Sequence, residues 1–455
     1  MSFFKVRKKL VNTIKKFKNM NNIYFREFKE FNKYFFIYLI ILAFCAIVQL
    51  YFKHTVGNDS TISEWIINYQ GGLTRRGFLG EICFHIAKYF NIELRFVIFV
   101  SQSIFYIFLL ILNFYFFKNI KHNILTIFAV FTPIFILYPV AEIEVLARKE
   151  IFLYIYFLGL IYLSSNNIDL NKYLNYYIIF ITPIVCLIYE QIALFFPFIV
   201  ACLVFQKKIA DFKSFFKVCF LFFPSLAIII FFFNFPPSME DHEVMKSSLM
   251  DNFNEQCYMS CELLRHFDLN NPSFIIKSTF ANASFNEIIS WILRYFIIFL
   301  IGFFPILFLA IHSKIKKKNV FSILNMNNIN LLMFFLYLPV ILLFIIGSDW
   351  GRWIGMLISF STYLYFFLYK NDHIIVDYKK MSQRLIFFKN KKVIVVFIFI
   401  IFAFGWNQKT SRSADVATNP LWKIPYNTSK KIFGWKSFRI LEDSIFSIWH
   451  KKYIE

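Results

Sequence analysis

The sequence predicts an all-α fold, a polytopic helical membrane protein of about eleven transmembrane helices. Three observations predict it. Of 455 residues, 58% are hydrophobic and only 17% are charged, where a soluble domain carries about 25% charged residues. Mean hydropathy is +0.57. The apolar residues fall in long uninterrupted runs, not in the alternating strands of about ten residues that a barrel needs. The same composition excludes a soluble globular domain, a disordered chain and a disulfide scaffold.

Residues 1–34 carry ten Lys/Arg. The apolar run behind them is too long for a signal h-region, so they read as a cytoplasmic basic arm before an uncleaved first span. Spans are expected near 35–52, 95–117, 123–140, 151–163, 174–188, 191–205, 215–235, 291–313, 328–346, 352–369 and 393–406. As one helix, 174–205 would run about 48 Å against a hydrocarbon core of about 30 Å, with a charged Glu190 in mid-bilayer. A hairpin turning at Tyr189-Glu190-Gln191, with Pro183 and Pro197 on either side, is expected instead. The transmembrane domain is thus 35–406, with outer loops 53–94 and 236–290, and 407–455 is a C-terminal tail.

The charge balance is +22, from 49 Lys/Arg and 27 Asp/Glu. In a membrane chain this excess points to topology and to membrane lipids as partners. No accessible basic domain outside the arm and tail offers itself to nucleic acid. With the N-terminus inside, inner segments hold 28 of the 49 Lys/Arg, and nine of the remainder lie in the tail. That bias predicts a cytoplasmic N-terminus, with the polar features on the outer face; richness in Lys, Asn, Ile and Phe suggests an AT-rich bacterial genome and so a bacterial inner (plasma) membrane.

Those features define the candidate site. In Trp65–Glu81, Gly71, Gly72 and Gly77 permit close backbone approach, and Arg75 and Arg76 supply forked donors for phosphate or carboxylate. Phe78–Phe90 reads as an interfacial amphipathic helix, with Leu79, Ile82, Cys83, Ile86 and Phe90 on one face. Such an arginine pair either holds a lipid pyrophosphate or anchors the loop to headgroups. In Glu142–Glu150, Glu144 and Arg148 are four apart and can pair on a helix face. Glu190 sits in an apolar stretch, with Arg148 or an arginine of the first loop as partner. In Gly347–Trp353, Asp349 and Arg352 can pair across one turn, while Trp350 and Trp353 suit an aromatic belt or sugar stacking.

Cofactor motifs are missing. There is no nucleotide loop or dinucleotide fingerprint. Glu240, Asp241, His242 and Glu243 are consecutive and so poorly placed to chelate one ion; no metal or other cofactor is expected, and the loop reads as a substrate cover. Cys257 and Cys261 are either free thiols or, in an extracytoplasmic loop, a local disulfide.

With these residues in place, the layout resembles the C-type glycosyltransferase superfamily, whose members use polyprenyl-phosphate-linked sugars and carry a catalytic carboxylate in the first outer loop. The resemblance implies Asp59 or Glu64 as general base, with Arg75, Arg76 and Arg352 stabilising the departing lipid phosphate. Asp349 is expected either as a further catalytic carboxylate in a glycan or phosphate site or as a helix cap. The layout also resembles O-antigen polymerases and ligases, which rely on outer-face arginines. Substrate contacts are thus expected from Arg75, Arg76, Glu144, Arg148, Glu190, Trp350, Arg352 and Trp353, on a polyprenyl-linked glycan. A transporter or flippase, and a non-enzymatic scaffold, are the rival classes. A scaffold predicts that Arg75, Arg76, Glu190 and Asp349 scatter in space; a site predicts that they meet.

Overall fold

A computed structural model describes residues 28, 30–56, 59–118, 120–164, 173–265, 276–277, 280–281, 283–316, 329–385, 391–412 and 416–417. Helix dominates these residues, and the strands among them are two or three residues long. Five helices are long and apolar enough to cross a membrane, and six if one bent pair counts as a single span. They are α1 (Phe31–Val56), α4 (Leu94–Phe117), the run Glu190–Lys207 containing α10 (Phe196–Lys207), α15 (Phe285–Ile311) and α16 (Ile329–Ile346). The bent pair is α11 (Phe212–Phe220) and α12 (Phe223–Asn234), which meet at 50° where Pro224 opens the second helix. Between α1 and α4 lie α2 (Asp59–Ile62) and α3 (Gly77–Phe90).

The other expected spans take less regular forms. Residues 123–140 do not form one helix. α5 (Ile124–Val130) begins in a capping box of Asn123 with Thr126, then stops. Residues 131–137 turn through the interior fully buried before α6 (Tyr138–Ala141) and α7 (Ile143–Leu146). Such non-helical backbone is tolerated at membrane depth when protein surrounds it, and Thr132 Oγ1 secures this one by donating to Gly302 O at 2.9 Å. α8 (Glu150–Leu163) has 14 residues.

The 174–205 stretch is a hairpin. α9 (Leu174–Ile188) ends at Tyr189, whose backbone is extended, and the chain re-enters through a 3₁₀ segment, Glu190–Phe195. The two arms meet again at their far ends, where Lys207 Nζ donates to Asn175 Oδ1 at 2.5 Å.

α17 (Trp350–Lys370) occupies the centre. Every residue from Trp350 to Leu368 is buried. Its hydropathy is diluted by Ser359, Ser361 and Tyr363, and all three are satisfied inside the bundle. The serines donate back to Gly355 O and Leu357 O, and Tyr363 donates to Asn113 Oδ1 at 3.0 Å. A helix walled in by other helices can hold polar residues that a lipid-facing one cannot.

Long-range contacts sort into two ends. At one end Phe28 N donates to His122 O, Lys370 Nζ to Phe116 O, and β1 (Ser313–Ile315) pairs antiparallel with β2 (Ile374–Val376), followed by α18 (Tyr378–Arg384). At the other end lie the first long loop, α6–α7, the Tyr189 turn, and α13 (Met239–Phe253) with α14 (Met259–Glu262). After α19 (Lys392–Phe404), the start of the tail joins them. There β3 (Asn407–Gln408) pairs with β4 (Val416–Ala417), and the chain crosses α17: Gly351 N donates to Thr410 O and Gln408 Nε2 to Gly351 O.

Candidate functional site

The charged residues that interrupt the apolar sequence converge at that second end. Glu64 is the hub, with its side chain 2% exposed. Its Oε1 lies 2.9 Å from Arg148 Nη1, 3.3 Å from Arg76 Nη1 and 4.0 Å from Arg352 Nη2. Arg76 grips Glu190 through Nε and Nη2 at 2.6 to 3.0 Å. Arg352 binds Glu150 and, through Nη1, Asp349 at 2.5 Å. Tyr189 OH donates to Glu150 Oε1 at 3.0 Å and accepts from Arg352 Nη2 at 3.2 Å. Arg75 lies against Glu190, half-buried. The four residues whose meeting separates a site from a scaffold are therefore in one network.

Local chain geometry builds this arrangement. Trp65 Nε1 and Gln102 Nε2 both donate to Ala147 O, tying the first loop and α4 to the turn that carries Arg148. Arg76 is the residue before α3 and has φ 64, a left-handed conformation that costs a non-glycine residue energy. Lys149, fully buried, fixes it by donating from Nζ to Arg76 O at 2.6 Å. Asp349 precedes α17 yet makes no capping hydrogen bond, its carboxylate being turned onto Arg352. Arg148 Nε and Glu150 Oε2 are buried without a hydrogen-bond partner among the described residues, so the network retains unfilled polar capacity.

Burial pushes Glu64 up, but the charges of Arg148, Arg76, Arg352 and Lys149 outweigh it and hold the carboxyl down at about 2. Burial lowers the Lys149 ammonium to about 8, against the pull of Glu64. Burial, with the like charge of Arg76, also lowers Arg75, and Glu190 opposes it. Arg75 makes no hydrogen bond among the described residues. Five cations (Arg75, Arg76, Arg148, Lys149, Arg352) face four carboxylates (Glu64, Glu150, Glu190, Asp349), so the cluster favours an added anion.

Several expectations need correction. Glu144 does not pair with Arg148. α7 ends at Leu146 and the chain turns, so the i,i+4 relation is lost; Glu144 accepts from Thr410 Oγ1 at 2.8 Å, while Arg148 goes to Glu64 and Ser260. Trp350 and Trp353 are neither belt nor sugar platform. Both are buried, against Tyr295 and Phe344 for the first and Phe344 for the second, because α17 is central. Gly71 serves packing: a Cβ there would sit 1.8 Å from Asp241 O of α13. The apolar residues of α3 divide, with Leu79 and Cys83 packed inward and Ile82, Ile86 and Phe90 exposed. Asp59 opens α2, but its side chain falls outside the described residues. Glu64 is poorly placed as a general base, since a carboxyl held at about 2 is a weak proton acceptor at neutral pH.

The described part of segment 236–290 packs against the network. Its Gly71–Asp241 contact, the Cys257–Cys261 disulfide and the Arg148–Ser260 hydrogen bond place it over the network. His242 lies beside the disulfide with Nε2 3.5 Å from Cys257 Sγ. His242, Cys257 and Cys261 are close enough to share an ion, but sulfurs joined to each other are not thiolate ligands.

Sequence reasoning passed over Lys149, Glu150, Tyr189 and Ser260 as individual positions. Lys149 and Glu150 ended the charged run already noted, and Tyr189 adjoined Glu190. Ser260 lay between two cysteines with no signal of its own. No protein-family model matches this sequence, and no curated protein and no solved structure matches it either.

Proposed function

We propose that the network is an outward-facing site for a polyprenyl-phosphate-linked sugar, and that the protein transfers the glycan to an acceptor in surface polysaccharide or glycolipid assembly. One observation carries this reading: Arg75, half-buried and without a hydrogen-bond partner among the described residues, stands beside Arg76 at the start of a helix whose exposed face is Ile82, Ile86, Tyr89 and Phe90. That pairing of anion-binding groups with lipid-compatible surface suits a phosphate carried on a hydrocarbon chain. Asp349, 35% exposed, is the most open carboxylate of the network and takes the place of Asp59 or Glu64 as base. It accepts the proton of an acceptor hydroxyl. The hydroxyl oxygen bonds to the anomeric carbon as the bond from that carbon to the lipid phosphate breaks. The electron pair leaves on the phosphate oxygen, where Arg75 and Arg76 receive the charge. A polymerase adding repeat units would use the same parts.

This reading includes eleven crossings with the N-terminus inside. It adds the short or broken segments 124–141, α8, α9, α17 and α19 to the six spans identified by length. The Cys257–Cys261 disulfide supports an extracytoplasmic loop. A transporter or flippase is the second reading, favoured by the buried break at 131–137 and the break at Tyr189 beside ionisable groups.

Binding of a long-chain polyprenyl phosphate to the purified protein tests the proposal. Arg75→Ala weakens that binding about tenfold or more, and the phosphate-free polyprenol binds no better than the variant does. Equal binding of phosphate and alcohol by the wild-type protein would overturn it.

A further inference from the structure

At the opposite end from the charged network, α1, α5 and α19 line an open groove of about 800 Å³. Its walls are aromatic and aliphatic, including Phe31, Tyr38, Ile127, Phe128, Val396 and Phe399. α19 meets the bundle through edge-on rings, Phe399 on Phe128 and Phe131, and Phe404 on Tyr38 and Phe131. On α1 the lining runs from Phe31 to Ile41. At a 1.5 Å rise per residue that is about 15 Å, half of a hydrocarbon core of about 30 Å. The groove is therefore one leaflet deep.

Its mouth is basic. Lys33 lies one turn before Ile37, a lining residue, on the same face of α1. Lys391 bears the same relation to Val395, whose N–H donates to the Lys391 carbonyl. Lys121 immediately precedes His122, whose ring stacks on Phe31 at 3.6 Å and whose carbonyl accepts from Phe28. Lys33 and Lys391 thus stand one turn outside lining residues of α1 and α19, and Lys121 lies just before α5. Lysines placed this way attract an anionic headgroup, and each contributes most where the charge sits at the membrane surface.

We infer that this groove is a binding site for one anionic phospholipid of the leaflet that faces the basic arm. The acyl chains lie between α1, α5 and α19, and the headgroup phosphate rests among Lys33, Lys121 and Lys391. The site lies apart from the charged network and does not depend on the function proposed for it. The bound lipid fills the space between α1, α5 and α19 that these ring contacts leave open.

The test is native mass spectrometry of the full chain released from nanodiscs holding equal amounts of phosphatidylglycerol and phosphatidylcholine. One phosphatidylglycerol is retained per chain, in preference to phosphatidylcholine by about tenfold. The triple variant Lys33→Glu, Lys121→Glu, Lys391→Glu alters exposed or rim positions and abolishes the preference. Val396→Trp, which fills the slot from an exposed position on α19, reduces retention of both lipids. Equal retention of the two lipids by the wild-type protein would overturn the proposal. So would retention that neither variant alters. It would equally fail if lipid is retained only after residues 1–27 are removed, which would make the chain's own arm the occupant.

Discussion

Arg76 and Glu190, 114 positions apart in the chain, form a bidentate ion pair at 2.6 to 3.0 Å. Glu190 sits at the hairpin turn, and Arg76 is held in a left-handed conformation by the Lys149 ammonium. The pair pins the start of α3 to the hairpin turn, where α3 also packs on α9 and the Arg76 guanidinium lies 4.9 Å from the centre of the Tyr189 ring, and it hands the Glu64 hub one of its three arginines.

Removing either partner strands the other. Arg76→Ala should destabilise the protein by about 3 kcal/mol, near the low end for a broken buried pair because both side chains retain some exposure. Arg76→Lys keeps the charge but loses the fork, and should recover part of the stability while function stays low. Thermal unfolding in detergent, read beside complementation of a deletion strain, checks both outcomes.

Two buried glycines should respond differently to alanine. At Gly351 a Cβ would lie 1.8 Å from the Lys409 carbonyl oxygen, so the tail strand must move. At Gly302 it would meet the Cδ1 end of the buried Ile134 side chain, which yields more readily than backbone. Gly351→Ala should cost about 3 kcal/mol and expose the 406–412 segment to protease, whereas Gly302→Ala should cost about 1 kcal/mol or less. Melting temperatures with a limited-proteolysis time course separate the two.

The acid and alkaline limbs of stability have different owners. Glu64 falls from 4.5 to about 2 on folding, so its contribution is complete above about 4.5 and is lost as pH drops towards 2. Lys149 falls from 10.5 to about 8, which reverses the sign. Its burial penalty is complete below about 8 and is relieved as pH rises to 10.5. Lys149→Met should therefore flatten the gain in stability between pH 8 and 10.5, and Glu64→Gln should flatten the loss between 4.5 and 2. Unfolding measured against pH for each variant shows which limb changes.

Thiol labelling reports the side of the cover loop. In intact cells, a membrane-impermeant maleimide should label Cys257 and Cys261 only after reduction, while Cys45, Cys83, Cys186 and Cys202, all buried, stay unlabelled. Labelling of the pair before reduction would show free thiols there.

The helical membrane character was plain from the length of the apolar runs, and the turn at Glu190 from the cost of a charge in mid-bilayer. The meeting of Arg75, Arg76, Arg352 and Asp349 was foreseeable only as same-side placement, because alternation of spans says which face a loop occupies and not what it touches. Periodicity misled where a helix was assumed to continue: Glu144 and Arg148 separate because α7 is four residues long. It also misled at Trp350, since a tryptophan at a span end looks alike whether lipid or protein surrounds the helix. Seven-residue α5 stops inside a long apolar run whose nearest mark of a break, Pro133 two residues past the C-cap Phe131, is outweighed when spans are read from apolar length alone.

The most direct test is the profile of polyprenyl-linked sugars and surface glycans in cells lacking the gene, complemented in turn with wild type, Arg75→Ala and Asp349→Asn. The account predicts lipid-linked sugars accumulating with truncated glycans, corrected by the wild type and by neither variant. Unchanged glycans and intermediates in the deletion strain would contradict it.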